Sequence, residues 1–285
     1  MRLARVRHDG DVWLARIDGD GDGRAIVPVW RESGHPGADA LREALAEGVD
    51  LAAGGPHGEV PFDEASLLAP LARPSKVLAI GLNYADHARE TGAEPPAAPL
   101  VFAKAPSSIV GPGDVVRWRV SDSSQVDYEA ELTVVIGKRV GPEDRLDDPL
   151  SHVFGYTVAN DVSARDAQFA DRQWVRSKSF DTFCPLGPWL VTADEIGDPQ
   201  TLAIGCRVNG TPLQDSNTAE MIFGVAELVT YLARFMTLEP GDLILTGTPA
   251  GVGFTRQPPV FLGDGDTVTC WIDGIGELTN PVETG

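Results

Sequence analysis

The sequence predicts an α+β fold that is mainly β. Beyond residue 76, short runs rich in Val, Ile, Leu and aromatic residues recur between turn residues, and such runs are typical of strands. These runs are KVLAIG, PLVFAK, EAELTVVIG, YTVAND, PWLVT, AIGCRVNG, GDLILTG and DTVTCWI. Segments with helical periodicity are few by comparison, and many strands with few helices favour an α+β core.

Three segments of this part of the chain predict helices. NYADHARETG predicts a short helix with Gly92 as its C-terminal cap, and ARDAQFADRQ predicts another. The clearest helix covers residues 218–236, approximately. We interpret its apolar residues as core rather than as a cofactor site, and they are Met221, Val225, Leu228, Leu232 and Phe235.

Residues 1–70 differ from the rest and predict a small N-terminal α+β domain. Two prolines in LLAPLARPSK predict a linker, which leaves residues 71–285 as a larger second domain. The run DGDGDG, residues 18–23, resembles the start of a calcium loop. However, Val29 occupies the twelfth position, where a bidentate Glu belongs, so a hairpin turn is favoured.

The charge balance is acidic, with 23 basic and 42 acidic residues and a formal net charge of −19. Such a surface repels phosphate backbones, which argues against nucleic acid as a partner. No apolar run approaches the ~18 residues of a membrane span, and the N-terminus lacks the apolar block of a signal peptide. We therefore expect no membrane partner and a cytoplasmic location. The odd number and wide spacing of Cys184, Cys206 and Cys270 predict reduced thiols.

The segment VDYEAELTVVIG, residues 126–137, predicts a buried strand with Glu129 and Glu131 on one face. On a buried face the two carboxylates would repel each other unless a cation lies between them. The alternative is an amphipathic strand with a solvated acidic face, and this segment alone leaves both interpretations open. Asp161, at the end of the strand YTVAND, adds a third carboxylate. Three carboxylates favour an open site for a hard cation such as Mg²⁺, Mn²⁺ or Ca²⁺.

Seven motifs, in order, resemble the fumarylacetoacetate hydrolase family and span roughly residues 75–283. They are AIGLNYADHARETG, PLVFAKAPSSIVGPGD, YEAELTVVIGK, GYTVANDVSARDAQ, WVRSKSFDTFCPLGPWLVT, VNGTPLQDSNTAEMIF and PGDLILTGTPAGVG. The resemblance implies a mixed β-sandwich roll and a divalent metal, usually Mg²⁺ or Mn²⁺. Because the family is usually dimeric, we expect a homodimer.

The resemblance also implies roles for individual residues. The implied metal ligands are Glu129, Glu131 and Asp161. The implied catalytic residues are His87, Glu90 and Lys178. The residues implied to contact substrate are Arg165, Gln168 and Thr248.

Without the resemblance, His-x-x-Glu spacing is more typical of an exposed pair, and Lys178 of a solvated side chain. On one helix face, however, Glu90 beside His87 would orient the imidazole and raise its basicity, as a general base requires. The resemblance favours the catalytic interpretation of the pair and of the lysine. It also implies that the helix carrying the pair is a lid that orders when a ligand binds.

The activity implied is hydrolysis of a C–C bond in a 1,3-dicarbonyl 2-oxo acid, such as an acylpyruvate or fumarylpyruvate, through a metal-stabilised enolate. The same enolate would support two alternatives. One is isomerisation of 2-hydroxyhepta-2,4-diene-1,7-dioate, a step of aromatic catabolism, and the other is decarboxylation of an oxaloacetate-like acid. A remote alternative from another class is a non-catalytic binding protein that kept the fold.

Overall fold

The computed structural model describes residues 1–19, 24–35, 38–53, 55, 58–62 and 66–285. Its strands are β1 Arg2–His8, β2 Asp11–Asp18, β3 Ala25–Arg31, β4 Val60–Pro61, β5 Ser66–Leu68, β6 Val77–Gly81, β7 Leu100–Lys104, β8 Ile109–Val110, β9 Val116–Trp118, β10 Val126–Asp127, β11 Ala130–Ile136, β12 Val153–Asn160, β13 Ser163–Ala164, β14 Cys184–Thr192, β15 Ala203–Val208, β16 Thr211–Asn217, β17 Leu243–Leu245, β18 Thr267–Ile272 and β19 Gly276–Thr284. Its α-helices are α1 Ala40–Ala46, α2 Ala85–Thr91, α3 Arg165–Ala170, α4 Val175–Lys178, α5 Ala193–Ile196 and α6 Val225–Ala233.

Two mixed β-sheets form the body of the fold. In the larger sheet the strand order is β4-β3-β2-β1-β14-β12-β11-β17-β6-β7, with β5 beside β1 and β8 beside β14. In the smaller sheet the order is β16-β15-β18-β19-β9. Contacts of β11 with β15 and β18, and of β12 and β14 with β19, join the two sheets face to face. The α+β, mainly β fold predicted from the sequence, a mixed β-sandwich roll, is confirmed.

Strand β11 is buried on both faces. Leu132 on one face belongs to a core cluster that includes Ile204 of the smaller sheet. Val135 on the other face belongs to a second cluster that includes Leu41 of α1. Because successive side chains of a strand point to opposite faces, Glu131 lies on the same face as Val135. A strand covered on both sides reads as a nearly continuous apolar run, and this explains the sequence of β11.

The N-terminal strands extend the larger sheet. Leu3 of β1 lies opposite Leu190 of β14 in an antiparallel pair. Leu41 of α1 shares a core cluster with Leu71 and with Leu243 of β17. Residues 1–70 therefore pack into the same sheet and core as the following residues, and a domain boundary near residue 70 stays a prediction.

The turn predicted at residues 18–23 falls mostly on residues 20–23, which lie outside the described residues. The strands on its two sides, β2 and β3, pair antiparallel with Asp18 opposite Ala25. The cysteines Cys184, Cys206 and Cys270 are buried and free. None of the helices in the described ranges has the length and apolar character needed to cross a membrane.

The predicted helix over residues 218–236 is wrong in its first half. The chain forms a 3₁₀ turn at Thr218–Glu220 and enters α6 only afterwards. The cause is Asn83, whose Oδ1 accepts a hydrogen bond from the Phe223 amide at 2.9 Å. This amide is thereby withdrawn from helical bonding. Phe235, predicted as core, is 60% exposed beyond the end of α6.

The other two helix predictions are confirmed. Helix α2 ends at Gly92, whose φ of 67° is in the left-handed region that favours glycine. Helix α3 is shorter than ARDAQFADRQ suggests, because Asp171 already has an extended backbone.

We predict that Leu41→Ala destabilises the whole protein, although Leu41 lies in the N-terminal segment. Its side chain is fully buried, and truncation of such a leucine costs about 2–5 kcal/mol. Urea denaturation followed by circular dichroism should show a single transition shifted to lower urea concentration. Leu45→Ala on the same helix, where the side chain is only partly buried, is the control and should cost less. A new early transition with an unchanged late one would instead indicate an independent N-terminal domain.

Candidate active site

Three carboxylates converge where β12 ends and β11 begins. Ala130 pairs with Asn160 across these antiparallel strands, so Glu129 before β11 lies beside Asp161 after β12. The Asp161 amide donates to the Glu129 carbonyl at 2.9 Å. One carboxylate oxygen each from Glu129, Glu131 and Asp161 lies within 4.8 Å of the others, and all three side chains are buried. The three predicted metal ligands therefore lie together, and the solvated-face alternative is wrong.

The sequence predicts one strand over residues 126–137, and this prediction is wrong. The segment is divided into β10 and β11, with Tyr128 and Glu129 between them. Asp127 in β10 accepts from the amides of Gly253 and Phe254 at 2.7 and 3.1 Å. These bonds turn β10 away from the path of β11, so β10 pairs with β13 instead of joining the larger sheet.

Three buried cations face the carboxylates. Lys178 Nζ donates to Glu129 Oε2 and to Asp161 Oδ2, both at 2.7 Å. Lys104 Nζ donates to Asp161 Oδ1 at 2.5 Å and also to the Lys178 carbonyl. Arg165 lies 2.7 Å from Glu129 Oε1 through Nη2 and donates to Asp127 through Nε at 2.8 Å.

Sequence reasoning missed Lys104 and Asp127. A single lysine at the end of a strand gives no local sign that it is buried. Asp127 did carry a signal, because it stands two residues before Glu129 in the same alternating segment.

The charges of the cluster leave one carboxylate without a counter-charge. Four buried carboxylates face three cations, and Glu131 is the acid that contacts none of the cations directly. Its only hydrogen bond among the described contacts is from the Gly247 amide, at 2.7 Å. Burial, together with Asp161 and Glu129, raises the pKa of Glu131 well above its ordinary value. A hard divalent cation fits this all-oxygen, electron-rich donor set.

Glu129 and Lys178 are held in their charged forms. Burial alone would raise the pKa of Glu129, but Lys178 and Arg165 lower it to about 2. Burial alone would lower the pKa of Lys178, but Asp161 and Glu129 raise it above its ordinary value. The ammonium group therefore remains protonated beside the carboxylates.

The pair on α2 is not a surface pair. His87 is only 8% exposed, and its Nδ1 lies 3.0 Å from Glu90 Oε2. The second oxygen of Glu90 accepts from the Gly251 amide at 3.0 Å. The imidazole also meets the Phe254 ring edge to face, with centroids 6.5 Å apart. The ring orientation of His87 is therefore fixed by groups on both sides.

A cavity of about 440 Å³ connects these groups. Among the residues predicted for the site, those that line it are His87, Glu129, Glu131, Arg165, Gln168, Lys178 and Thr248. Asp161 and Glu90 are not among the lining residues. Asp161 contacts the lining residue Lys178, and Glu90 contacts the lining residue His87. A larger, shallower groove of about 1010 Å³ beside Trp189 contains none of the predicted site residues.

Two of the predicted substrate contacts are held by other side chains. Gln168 Oε1 accepts from Arg165 Nη1 at 2.8 Å. Thr248 Oγ1 donates to the Ala130 carbonyl at 3.0 Å and accepts from Gln214 Nε2 at 2.8 Å. Gln214, which sequence reasoning also missed, therefore fixes the Thr248 loop against the start of β11.

Comparison with known proteins decides the family. A family model described as fumarylacetoacetate (FAA) hydrolase C-terminal matches residues 76–283. The chain belongs to this family. Relatives include the mitochondrial oxaloacetate tautomerase FAHD2A of Bos taurus, which is 49% identical over 253 residues that cover 88% of this chain and 77% of the relative. Oxaloacetate tautomerase YisK of Bacillus subtilis is 47% identical over 227 residues, 78% of this chain and 74% of the relative.

Solved structures of family members cover the whole chain. One is 5-carboxymethyl-2-hydroxymuconate delta-isomerase from Mycobacterium smegmatis, with a TM-score of 0.80, 38% identity and coverage of 100% of this chain and 99% of that one. Another is fumarylacetoacetate hydrolase from Exiguobacterium antarcticum, with a TM-score of 0.83, 38% identity and full coverage of both chains. The protein is thus a fumarylacetoacetate hydrolase family enzyme. The names of its relatives support the isomerase alternative better than the predicted hydrolysis.

We predict that Glu131→Gln weakens Mn²⁺ binding by more than about 100-fold, beyond the 10–100-fold typical of residues that only support a ligand. The amide keeps the shape of the side chain and an acceptor for Gly247, so the variant should fold. Asp127→Asn is the matched control. Asp127 is as buried as Glu131, but its carboxylate contacts Arg165 and does not belong to the group formed by Glu129, Glu131 and Asp161. The Mn²⁺ affinity of this control variant, measured by electron paramagnetic resonance, should change less than tenfold. Equal affinities of Glu131→Gln and the wild type would exclude Glu131 as a ligand.

We also predict a pH-dependent contribution of Glu90 to stability. Burial works to raise the pKa of Glu90, but hydrogen bonds from His87, Thr255 and Gly251 hold it below the ordinary 4.5. Because the folded pKa is the lower one, the stabilisation is fully present above pH ~4.5 and is lost as the pH falls through the folded pKa. The difference in unfolding free energy between the wild type and Glu90→Gln should therefore be constant from pH 7 to 5 and shrink below. A difference that grows on acidification would contradict this.

Proposed function

We propose that this enzyme interconverts the keto and enol forms of a 2-oxo acid. The observation that carries the proposal is the shared cavity, which is lined by Glu129 and Glu131 of the buried carboxylate triad, by the charged Lys178 and by the imidazole that Glu90 orients. Enolisation needs a base near C3 of the acid and positive charge near its C2 oxygen. The cavity offers both.

The positive charge would come from two sources. Glu129, Glu131 and Asp161 would hold Mg²⁺ or Mn²⁺, which fits their all-oxygen donors and the excess negative charge. When bound there, the ion would supply Lewis-acid polarisation of the 2-oxo acid. Lys178, protonated at the same end of the cavity, would offset the negative charge that develops on the C2 oxygen.

His87 is the base in this proposal. Glu90 accepts the proton of His87 Nδ1, which leaves Nε2 with a lone pair to take a proton from C3 of the substrate. The electron pair of the broken C3–H bond forms the C2=C3 double bond, and the π pair of the carbonyl moves onto the C2 oxygen. The protonated Nε2 of His87 then returns the proton to this oxygen, which gives the enol and restores the neutral imidazole. Arg165 and Gln168, which are bonded to each other, would orient the substrate from the side.

The two relatives described above as oxaloacetate tautomerases support this reaction, and they are 49% and 47% identical to this chain. Isomerisation of a 2-hydroxydienoate would use the same proton transfers, as the name of one related structure suggests. Hydrolysis of an acylpyruvate is the second candidate, because a carboxylate-oriented imidazole can also activate water. We also propose that the protein forms a homodimer, lies in the cytoplasm and takes part in aromatic catabolism.

We predict that His87→Ala lowers the rate of oxaloacetate enolisation by about 10²–10⁴-fold, the usual contribution of a general base. The enol is followed by its ultraviolet absorbance, in protein stripped by a chelator and reloaded with Mg²⁺ or Mn²⁺. Mn²⁺ affinity should stay within about twofold, since His87 is not a proposed ligand. His152→Ala, at a histidine outside the cavity, is the control and should leave both quantities unchanged.

An acetylpyruvate hydrolysis assay on the same samples separates the two candidates. If acetylpyruvate is hydrolysed faster than oxaloacetate is enolised, and if His87→Ala lowers both rates equally, hydrolysis is the activity. Full enolisation by His87→Ala would remove His87 from the proposed mechanism.

A further inference from the structure

Strand β7 leads from the charged cluster to the cavity mouth. Leu100, Phe102 and Lys104 alternate along it and therefore share one face. Lys104 is buried against Asp161, Phe102 lies under Lys178 with the ammonium 5.2 Å from the ring centroid, and Leu100 is 46% exposed. At a rise of ~3.3 Å per residue, the Leu100 Cα is roughly 13 Å from the Lys104 Cα. This face becomes apolar with distance from the carboxylates.

Aromatic side chains complete the apolar part of the cavity. Trp174 meets Phe102 edge to face with centroids 5.3 Å apart, and Phe169 meets Phe254 at 5.6 Å. Phe169 lines the cavity and is 64% exposed, so a ligand in the cavity can contact it.

Gly81 makes room for this wall. A Cβ atom at Gly81 would lie 2.5 Å from the Trp174 ring and 3.2 Å from Leu100 Cδ2. The indole therefore rests directly against the backbone of β6. The apolar wall is a packed surface rather than a chance exposure of loop side chains.

The cations of the cavity are already paired. Of the described residues that line it, those able to carry positive charge are His87, Arg165 and Lys178. Glu90 faces His87, Glu129 faces both other cations, and Phe254 covers Arg165 with the guanidinium carbon 4.5 Å from its ring centroid. A second substrate carboxylate beside Leu100 and Trp174 would be desolvated without a counter-charge.

We propose that this wall, formed by Leu100, Phe102, Phe169 and Trp174, is a subsite for the C3 substituent of the substrate and selects an uncharged aromatic or branched aliphatic group over a carboxylate. The inference rests on the proposed function, because the 2-oxo acid end must lie at the carboxylates. The cavity volume of about 440 Å³ agrees, since pockets of ~300–1,000 Å³ bury ligands much larger than a four-carbon acid.

Two substrates test the subsite, because they differ only in the C3 substituent. Phenylpyruvate carries a phenyl group and oxaloacetate carries a carboxylate. With Mg²⁺ present, isothermal titration calorimetry should show phenylpyruvate binding to the wild type at least about tenfold more tightly, the usual scale for filling an apolar pocket. Both acids are also assayed for enolisation.

Variants of exposed residues show whether the wall is responsible. Phe169→Ala should weaken phenylpyruvate about tenfold and oxaloacetate less than about twofold. Phe235→Ala is the matched control, because Phe235 is 60% exposed but lies outside the cavity, and it should change neither. Leu100→Arg adds a cation to the wall and should shift the affinity ratio of the two acids about tenfold towards oxaloacetate.

The outcomes separate the subsite from the activity. The subsite is overturned if Phe169→Ala loses the same affinity for both acids, or if the wild type binds oxaloacetate more tightly than phenylpyruvate. This holds even if both acids are enolised. If the affinities are as predicted but neither acid is enolised, the subsite is supported and the proposed function is overturned. The predicted affinities with faster enolisation of bound phenylpyruvate support both.

Discussion

The need to hold four carboxylates together in a buried place determines the arrangement of the site. An unpaired buried charge costs several kcal/mol, so each acid of Asp127, Glu129 and Asp161 has a cation within 2.5–2.8 Å. These cations come from β7 and from the helices α3 and α4, which are neighbours in sequence but distant from β7. Their docking against β11 and β12 is therefore a requirement of charge balance as much as of apolar packing. Glu131, the acid left over, gives the cluster its excess negative charge.

The same network reaches helix α2, which carries His87, through Gly247. Its amide donates to Glu131, and its φ of 95° suits only glycine. A Cβ atom there would lie 2.8 Å from the Cβ of Asn83. Asn83 in turn donates to the Thr246 carbonyl at 2.7 Å and stands just before α2. The carboxylates and His87 are thus linked by a short rigid path, which fixes the position of the proposed base relative to the proposed metal ligands.

The sequence predicted the strands and the triad because both rest on local rules. Alternation places Glu129 and Glu131 on one face, and a strand end places Asp161 beside them. The break between β10 and β11 was not predictable, because it depends on bonds from Asp127 to amides more than a hundred residues away. The helix over residues 218–236 failed for the same reason, since Asn83 is equally distant. Lys104 was missed because a buried lysine is recognisable only once its carboxylate partner is placed.

The proposed reaction chemistry and the proposed substrate choice lie in separate parts of the structure. The groups proposed to act on the 2-oxo acid include those of the buried cluster, where a change to one charge leaves its partner unpaired. Leu100 and Phe169 lie at the mouth and bond to none of the charged groups. Side chains there can change in size or charge without disturbing the carboxylates. If the proposed function and subsite hold, one scaffold can keep a single enolising centre and still accept different C3 substituents, and the differently named relatives of this chain share that scaffold.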